Sequence, residues 1–165
     1  MSEKIVLFEN DLSDEGQKRQ AIKNIIVFKL NDEWYGVDVL YVKEVVPTHP
    51  ISVLPNVPSY ILGIMNVRGN ILSVMNLKAI FGLTSLKDDE SQRIVIVEDK
   101  GMSVGLLVDG SEKTMEVPEN LIEPALSLLE DEKRDLLEGQ VKVDGKLVAL
   151  VSATKLLELT RLRNS

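Results

Sequence analysis

The sequence predicts a mainly β protein made of two small five-stranded β-barrels that pack around a shared core and carry a few short helices. Three observations support this class. The apolar and β-branched runs are short and are separated by turn residues, as in hairpins. The order of these elements repeats along the chain, which predicts two similar units. Of the 165 residues, 44% are hydrophobic, enough to fill a substantial interior.

Four β-hairpins are predicted, because each pairs two short apolar runs across a turn. The last has the clearest turn, since Asp-Gly is a favoured two-residue connection. The hairpins join residues 25–30 to 34–39, residues 61–67 to 71–75 around Arg68-Gly69-Asn70, residues 93–97 to 102–109, and residues 140–143 to 146–151 around Asp144-Gly145.

A short helix is predicted after the first hairpin. Asp38 is a good N-cap, and Pro47 ends the element. Lys43 and Glu44 then face outward, because the apolar residues recur at helical spacing on the other side, namely Val39, Val42, Val45 and Val46.

Two further helices follow the second and fourth hairpins. Asn76 and Ser152 are suitable N-caps, and Gly82 suits the C-terminus of the helix that begins after Asn76. Residues 126–137 are expected to be partly helical.

The remaining segments are predicted to be irregular. Residues 47–58 contain four prolines and form a connector, residues 84–92 form a charged loop, and residues 110–125 form a second irregular stretch. Residues 1–20 are expected to be a flexible tail, because residues 9–20 are polar and aperiodic. Residues 21–165 are then a single domain.

The two halves of the chain match each other. At an offset of 76 residues, residues 63–83 lie over residues 139–159. Gly63 then matches Gly139 and Gly69 matches Gly145, so both pairs of glycines are expected to be structurally equivalent. A looser match at an offset of 69 places the Gly36 hairpin over the Gly105 hairpin. Chance alternation in hairpins is the competing explanation, but the repeated order of elements favours a true repeat.

Arg68 is an unusual residue for a hairpin turn. Its counterpart in the second half is Asp144, which turn geometry favours. Stability alone does not call for a long cation at this tip. An arginine there can bind a partner's carboxylate or carbonyl groups; the alternative is a solvated side chain that covers an apolar edge.

Charge and composition exclude several classes of function. The net charge of −7 argues against nucleic acid and anionic membrane surfaces. The absence of cysteine excludes disulfides and thiolate metal sites. No apolar run is long enough to span a membrane, and no signal peptide is visible, so a cytoplasmic location is expected.

The stretch GIMNVRGNILSVMNL (63–77) resembles the CheW-like chemotaxis coupling family. It follows FKLNDEWYGVDVLYVKEVV and ISVLPNVPSYILG, and it is supported by VGLLVDG at 104–110 and by the terminal DGKLVALV. The resemblance covers residues 22–160. It implies two SH3-like barrels and a non-enzymatic adaptor that couples chemoreceptor tips to the regulatory domain of a histidine kinase. The adaptor is expected to be a monomer in isolation and to join membrane-associated receptor arrays.

The resemblance also implies a partner-binding set. Arg68 matches the motif arginine, Val42 and Glu44 fall in a contact region after the first hairpin, and Ile94 and Val95 match a strand that borders the receptor groove. The chain departs from the family pattern at three positions, with Ser73 in place of proline, Asn76 in place of aspartate, and Leu62 in place of a charged residue.

An enzyme is not expected, and neither a cofactor nor a metal site is predicted. His49 is the only histidine, and it lies in the proline-rich connector. No phosphate-binding glycine motif is present. The stronger alternative is a barrel that binds a small ligand or an oligonucleotide, but seven aromatic residues offer little for stacking. Trp34 is expected to be part of the core.

Overall fold

The computed structural model describes residues 21–84, 90–110, 112–125 and 131–164. The predicted tail at residues 1–20 lies outside the described residues. The chain forms eleven strands, three α-helices and short 3-10 helices within the described part. The strands and α-helices are β1 Ile22–Leu30, β2 Glu33–Asp38, β3 Val42–Pro47, β4 Ile51–Ser52, β5 Ile61–Val67, β6 Asn70–Asn76, α1 Leu77–Ile80, β7 Arg93–Asp99, β8 Met102–Val108, β9 Lys113–Pro118, α2 Asp131–Arg134, β10 Leu137–Val143, β11 Lys146–Val151 and α3 Ala153–Asn164.

The strands form two sheets, which confirms the mainly β, two-lobed prediction. Lobe 1 is the five-stranded sheet β10-β11-β2-β1-β9, and lobe 2 is the six-stranded sheet β3-β7-β8-β6-β5-β4. All four predicted hairpins form as antiparallel pairs. In each lobe two hairpins meet through one parallel pair, β11 with β2 in lobe 1 and β6 with β8 in lobe 2.

The lobes are not consecutive halves of the chain. The strand β3 follows the first hairpin but pairs with β7 in lobe 2, while β9 follows the third hairpin and pairs with β1 in lobe 1. Each repeat therefore divides its strands between the lobes: the first gives β1 and β2 to lobe 1 and β3 to β6 to lobe 2, and the second gives β7 and β8 to lobe 2 and β9 to β11 to lobe 1. This division connects the lobes through the backbone as well as through their packing.

The repeat predicted from the sequence is reproduced in the strand pairing. In lobe 1 Gly36 lies opposite Leu150, and in lobe 2 Gly105 lies opposite Val74. These are the pairs that the offsets of 69 and 76 relate to each other. The matching register shows that the two lobes are built on one plan.

The predicted glycine equivalences also hold. Gly69 and Gly145 lie in hairpin turns at φ +87° and +78°. Gly63 and Gly139 have φ +151° and +154°, and both lie at a register shift in their hairpin. A Cβ at Gly63 would lie 2.1 Å from the carbonyl oxygen of Ser52, and one at Gly139 would lie 2.6 Å from that of Glu123. Both positions therefore require glycine, since a neighbouring segment crosses closely there.

Three apolar clusters stabilise the fold. The largest, here called the central cluster, lies between the sheets and includes Phe28 and Val37 from lobe 1, Val95 and Leu106 from lobe 2, and Leu156 from α3. Smaller clusters fill lobe 2 and lobe 1. Trp34 packs, half-buried, against the lobe 1 cluster, which confirms that it is part of the core.

The prediction of a helix after the first hairpin is wrong. Asp38 does cap a turn, since its carboxylate accepts a hydrogen bond from the Leu40 amide, but the turn is a 3-10 helix over Val39–Tyr41. The chain then continues as β3, so Val42 and Glu44 lie on a strand. The valines at 42, 45 and 46 suit a strand as well as a helix, and pairing with β7 decides the outcome.

A strand also replaces part of the irregular stretch predicted at 110–125. Residues Lys113–Pro118 form β9 at the edge of lobe 1. The connector at 47–58 is irregular apart from the end of β3 and the two-residue edge strand β4. In the segment predicted to be partly helical, α2 forms and residues 126–130 lie outside the described residues.

The helix after β6 forms as predicted. The Asn76 side chain accepts a hydrogen bond from the Lys78 amide at 3.1 Å, and Gly82 follows the C-cap with φ +72°. The Ser152 hydroxyl accepts from the Lys155 amide at 3.2 Å, so Ser152 caps α3. Within the described residues, none of the helices combines the length and apolar character needed to cross a membrane.

Candidate functional site: the Arg68 hairpin tip

The tip of the β5–β6 hairpin is a two-residue turn made of Arg68 and Gly69. Both residues have positive φ, +51° and +87°, as a type I′ turn requires. The Asn66 side chain accepts a hydrogen bond from the Gly69 amide at 2.8 Å and fixes the turn. Arg68 therefore extends from a well-defined backbone rather than from a loose loop.

Arg68 forms an ion pair with Glu44, although the two residues are 24 positions apart. Glu44 lies on β3, at the opposite edge of the lobe 2 sheet from the pair β5–β4. The contact therefore shows that the sheet curves until its two ends approach each other. The Arg68 side chain remains 65% exposed, and that of Glu44 is 28% exposed. The guanidinium can bind Glu44 and still present donors to solvent or to a partner.

The structure separates the predicted partner-binding residues into two groups. Arg68 and Glu44 are in contact and accessible. Val42 is half-buried and packs against the central cluster. Ile94 and Val95 are both 0% exposed and lie on opposite faces of β7, in the lobe 2 and central clusters respectively. The side chains of Ile94 and Val95 thus belong to the interior. Within the predicted set, Arg68 and Glu44 form the accessible surface.

One further residue belongs to this surface. Ile71 lies on β6 opposite Asn66, next to the turn, and is 60% exposed. The sequence pattern alone did not indicate Ile71, because an apolar residue in a hairpin strand is normally assigned to the core. Strand alternation could have revealed it, since Leu72 on the next position is buried.

The corresponding end of lobe 1 has the opposite charge arrangement. Arg68 corresponds to Asp144, and Glu44 corresponds to Lys113 by the 69-residue offset. Asp144 and Lys113 line a cavity of about 10 Å³ beside Trp34. The amino groups of Lys29 and Lys146 lie 5.2 and 5.0 Å from the Trp34 ring centroid. The arginine tip is thus specific to lobe 2 and is not a requirement of the shared fold.

A cluster of charges lies at the other end of lobe 1. The Lys23 amino group donates to the Asp38 carboxylate at 3.0 Å and lies 3.8 Å from Glu138. Burial lowers the pKa of Lys23, but the hydrogen bond and negative charge of Asp38 outweigh it, so the pKa is raised overall. Burial raises the pKa of Glu138, although the nearby Lys23 opposes this.

The geometry offers contact groups but no catalytic constellation in the described part of the chain. His49 lies in the connector, with Nδ1 3.0 Å from the Pro47 carbonyl oxygen. The described residues contain no group of three or more metal-ligating side chains that could hold a metal ion.

Comparison with known proteins identifies the family. The CheW-like domain profile matches residues 24–161. The chain belongs to the CheW-like domain family. It is 27% identical over 129 residues to the chemotaxis protein CheW of Rhizobium meliloti, covering 78% of this chain and 83% of that protein. It is 25% identical over 150 residues to the chemotaxis protein CheW of Helicobacter pylori, covering 91% of this chain and 90% of that protein.

A solved structure supports the same assignment. The scaffolding protein TtCheW of Thermoanaerobacter tengcongensis matches with a TM-score of 0.73 and 34% sequence identity, over 86% of this chain and 91% of that one. Membership of this family makes the chain a non-enzymatic chemotaxis adaptor. It does not favour the alternative of a barrel that binds a small ligand or an oligonucleotide.

Proposed function

We propose that this CheW-like chain couples chemoreceptor cytoplasmic tips to the regulatory domain of a chemotaxis histidine kinase, and that the surface around Arg68 forms part of the coupling contact. The observation that carries the proposal is the exposed arginine at a rigid hairpin tip, at the position of the family's motif arginine. Glu44 and Ile71 extend this surface by a carboxylate and an apolar side chain. The adaptor would be cytoplasmic and monomeric in isolation, and it would reach the membrane through receptor arrays.

The arrangement is suited to recognition of a partner. An arginine held by one carboxylate loses less conformational freedom when a partner binds than a free side chain does. Its remaining donors can reach a carboxylate or backbone carbonyl of the partner. An adjacent exposed apolar residue such as Ile71 adds area that binding would remove from water.

The test uses Arg68→Asp and a matched control. Lys100 occupies the same position in the β7–β8 turn, with φ +53°, and is also an exposed cation. Co-sedimentation of the adaptor with receptor-containing membranes and kinase is the measurement. Arg68→Asp should weaken association at least tenfold, since loss of a partly buried charged contact costs about 2–5 kcal/mol. Lys100→Asp should leave it unchanged. Equal binding by the two variants would exclude Arg68 from the contact.

A charge exchange separates partner binding from the internal ion pair. The double variant Glu44→Arg, Arg68→Glu keeps an opposite-charge pair at the tip, but position 44 now carries the positive charge and position 68 the negative charge. We expect it to fold normally and to remain defective in co-sedimentation. Full recovery of co-sedimentation in the double variant would show that the internal pair alone matters.

A further inference from the structure

The end of lobe 2 remote from Arg68 opens into a groove, here called the lobe 2 mouth. Its volume is about 600 Å³, and its apolar lining consists of Ile51, Val53, Leu62 and Leu107. Val53 is 81% exposed. Polar residues surround this lining, including the ion pair of Lys78 with Asp109 at 2.9 Å.

The equivalent end of lobe 1 carries charged side chains instead. The repeat relates Leu62 to Glu138 and Leu107 to Asp38. In lobe 1 these two carboxylates form the charged cluster with Lys23. Lobe 2 therefore has apolar side chains where lobe 1 has a self-contained ionic cluster. The apolar part of this open mouth leaves surface in water that a suitable segment could cover.

The backbone beside the mouth can accept an additional strand. The two-residue strand β4 is the last in the lobe 2 sheet order and pairs with β5 alone among the described strands. Its other side is a sheet edge, where an extended segment can pair. A short apolar stretch could thus form backbone hydrogen bonds with β4 and pack its side chains against the apolar lining of the mouth.

The chain itself carries such a stretch. Residues 5–8 read IVLF, four consecutive apolar residues within the first twenty. The chain enters the structure at Ala21, whose carbonyl oxygen accepts from the Glu119 amide at 2.9 Å. We propose that residues 5–8 dock in the lobe 2 mouth of the same molecule, beside β4, with residues 9–20 as the connecting linker.

The linker is long enough to reach the mouth. The nine residues of β1 lead from Ala21 to Leu30, about 30 Å at the usual rise of a strand. The far end of β1 lies beside the mouth, since the Lys29 carbonyl accepts from the amide of Asp109, one of the lining residues. Twelve linker residues span up to about 40 Å when extended. Docking within one molecule also benefits from a high effective concentration.

Disulfide trapping in the full chain tests the proposal directly, because the sequence has no native cysteine. One variant carries Leu7→Cys with Val53→Cys at the mouth. The matched control carries Leu7→Cys with Leu147→Cys on lobe 1, which is 55% exposed. Mass spectrometry of peptides measures intrachain disulfide formation in a thiol redox buffer. We expect the Val53 pair to form about tenfold faster than the control pair.

A second variant tests the apolar contact without altering lobe 2. Ile5→Ser with Phe8→Ser, added to the Val53 pair, should reduce its rate to that of the control. Equal rates for the two original pairs would overturn the proposal, as would a rate that the serine substitutions leave unchanged. A predominance of disulfide-linked dimers would assign the mouth to a second copy and also contradict docking within one molecule. The outcome does not depend on the proposed coupling function, since neither receptor nor kinase is present.

Discussion

Arg68 occupies a backbone conformation that suits glycine, asparagine and aspartate better than arginine. The fold tolerates it because the turn requires only positive φ, and Lys100 adopts the same conformation in another hairpin. The Glu44 pair offsets part of the strain, but an exposed ion pair contributes little to the free energy of unfolding. The residue is therefore better explained by recognition than by stability.

The substitution Arg68→Asp should change the free energy of unfolding only slightly, because its effects oppose each other. The variant loses an exposed ion pair and places two carboxylates close together, while aspartate suits the turn better. We expect a change of at most about 1 kcal/mol in the free energy of unfolding by urea denaturation. The double variant Glu44→Arg, Arg68→Glu should lie closer to the wild type. A loss of several kcal/mol in Arg68→Asp would show that the arginine stabilises the lobe itself.

Gly63 offers a second test at this scale. Alanine there must adopt positive φ and displace the Ser52 carbonyl oxygen, which would lie 2.1 Å from the new Cβ. Gly69→Ala is the matched control, because its φ is also positive but no heavy atom lies within 4 Å. We expect a loss of about 1 kcal/mol for Gly69→Ala and roughly 3 kcal/mol or more for Gly63→Ala, both from urea denaturation. Equal losses would mean that β4 moves aside at little cost.

At the scale of elements, the hairpins were predictable and the edge strands were not. The hairpin turns have local signals, such as Asp144-Gly145, and pair neighbours in sequence. The strands β3 and β9 instead pair with partners about 50 and 90 residues away. Local pattern cannot identify such partners, and valines at 42, 45 and 46 suit a helix equally well. The Arg68–Glu44 contact was missed for the same reason, since it depends on how β3 pairs.

Two residues of the first hairpin, Lys23 and Tyr35, are expected to make the free energy of unfolding depend on pH in the alkaline range. Burial, together with a hydrogen bond to Glu33 at 2.9 Å, raises the pKa of Tyr35, and Asp38 raises that of Lys23. Groups with a raised pKa in the folded state contribute stability that is present below their unfolded pKa and is lost as the pH rises. The free energy of unfolding should therefore fall above about pH 10.

The measurement compares urea denaturation at pH 8 and pH 11 for the wild type and Tyr35→Phe. The phenylalanine variant lacks one of the titrating groups, so its stability should fall less over this interval. An identical fall in both proteins would contradict a role for Tyr35 in the alkaline transition.

At the scale of the whole molecule, each lobe takes strands from both halves of the chain, so each half alone is incomplete. Residues 21–84 contain β3 without its partner β7, and residues 90–164 contain β9 without its partner β1. We expect each fragment alone to lack a cooperative thermal transition by circular dichroism, whereas the whole chain unfolds in a single transition. Independent folding of either fragment would show that the strand pairings between the two halves are dispensable.

The two-lobed plan could be read from the sequence because Gly63, Gly69, Gly139 and Gly145 mark equivalent turns and close contacts. The differences between the lobes carry the functional information. Lobe 2 has an arginine tip and a mouth with Leu62 and Leu107 in its lining, where lobe 1 has Asp144 and an ionic cluster. Side-chain accessibility, such as the complete burial of Ile94 and Val95, depends on packing that a sequence pattern does not determine.

The most direct test of the coupling function is kinase phosphorylation in a reconstituted system. Receptor-containing membranes and the histidine kinase are assayed with and without this protein, and with the Arg68→Asp and Lys100→Asp variants. We expect the wild type and Lys100→Asp to raise receptor-dependent phosphorylation, and Arg68→Asp to raise it much less. Kinase regulation that is equally strong without the protein would contradict the proposed coupling function.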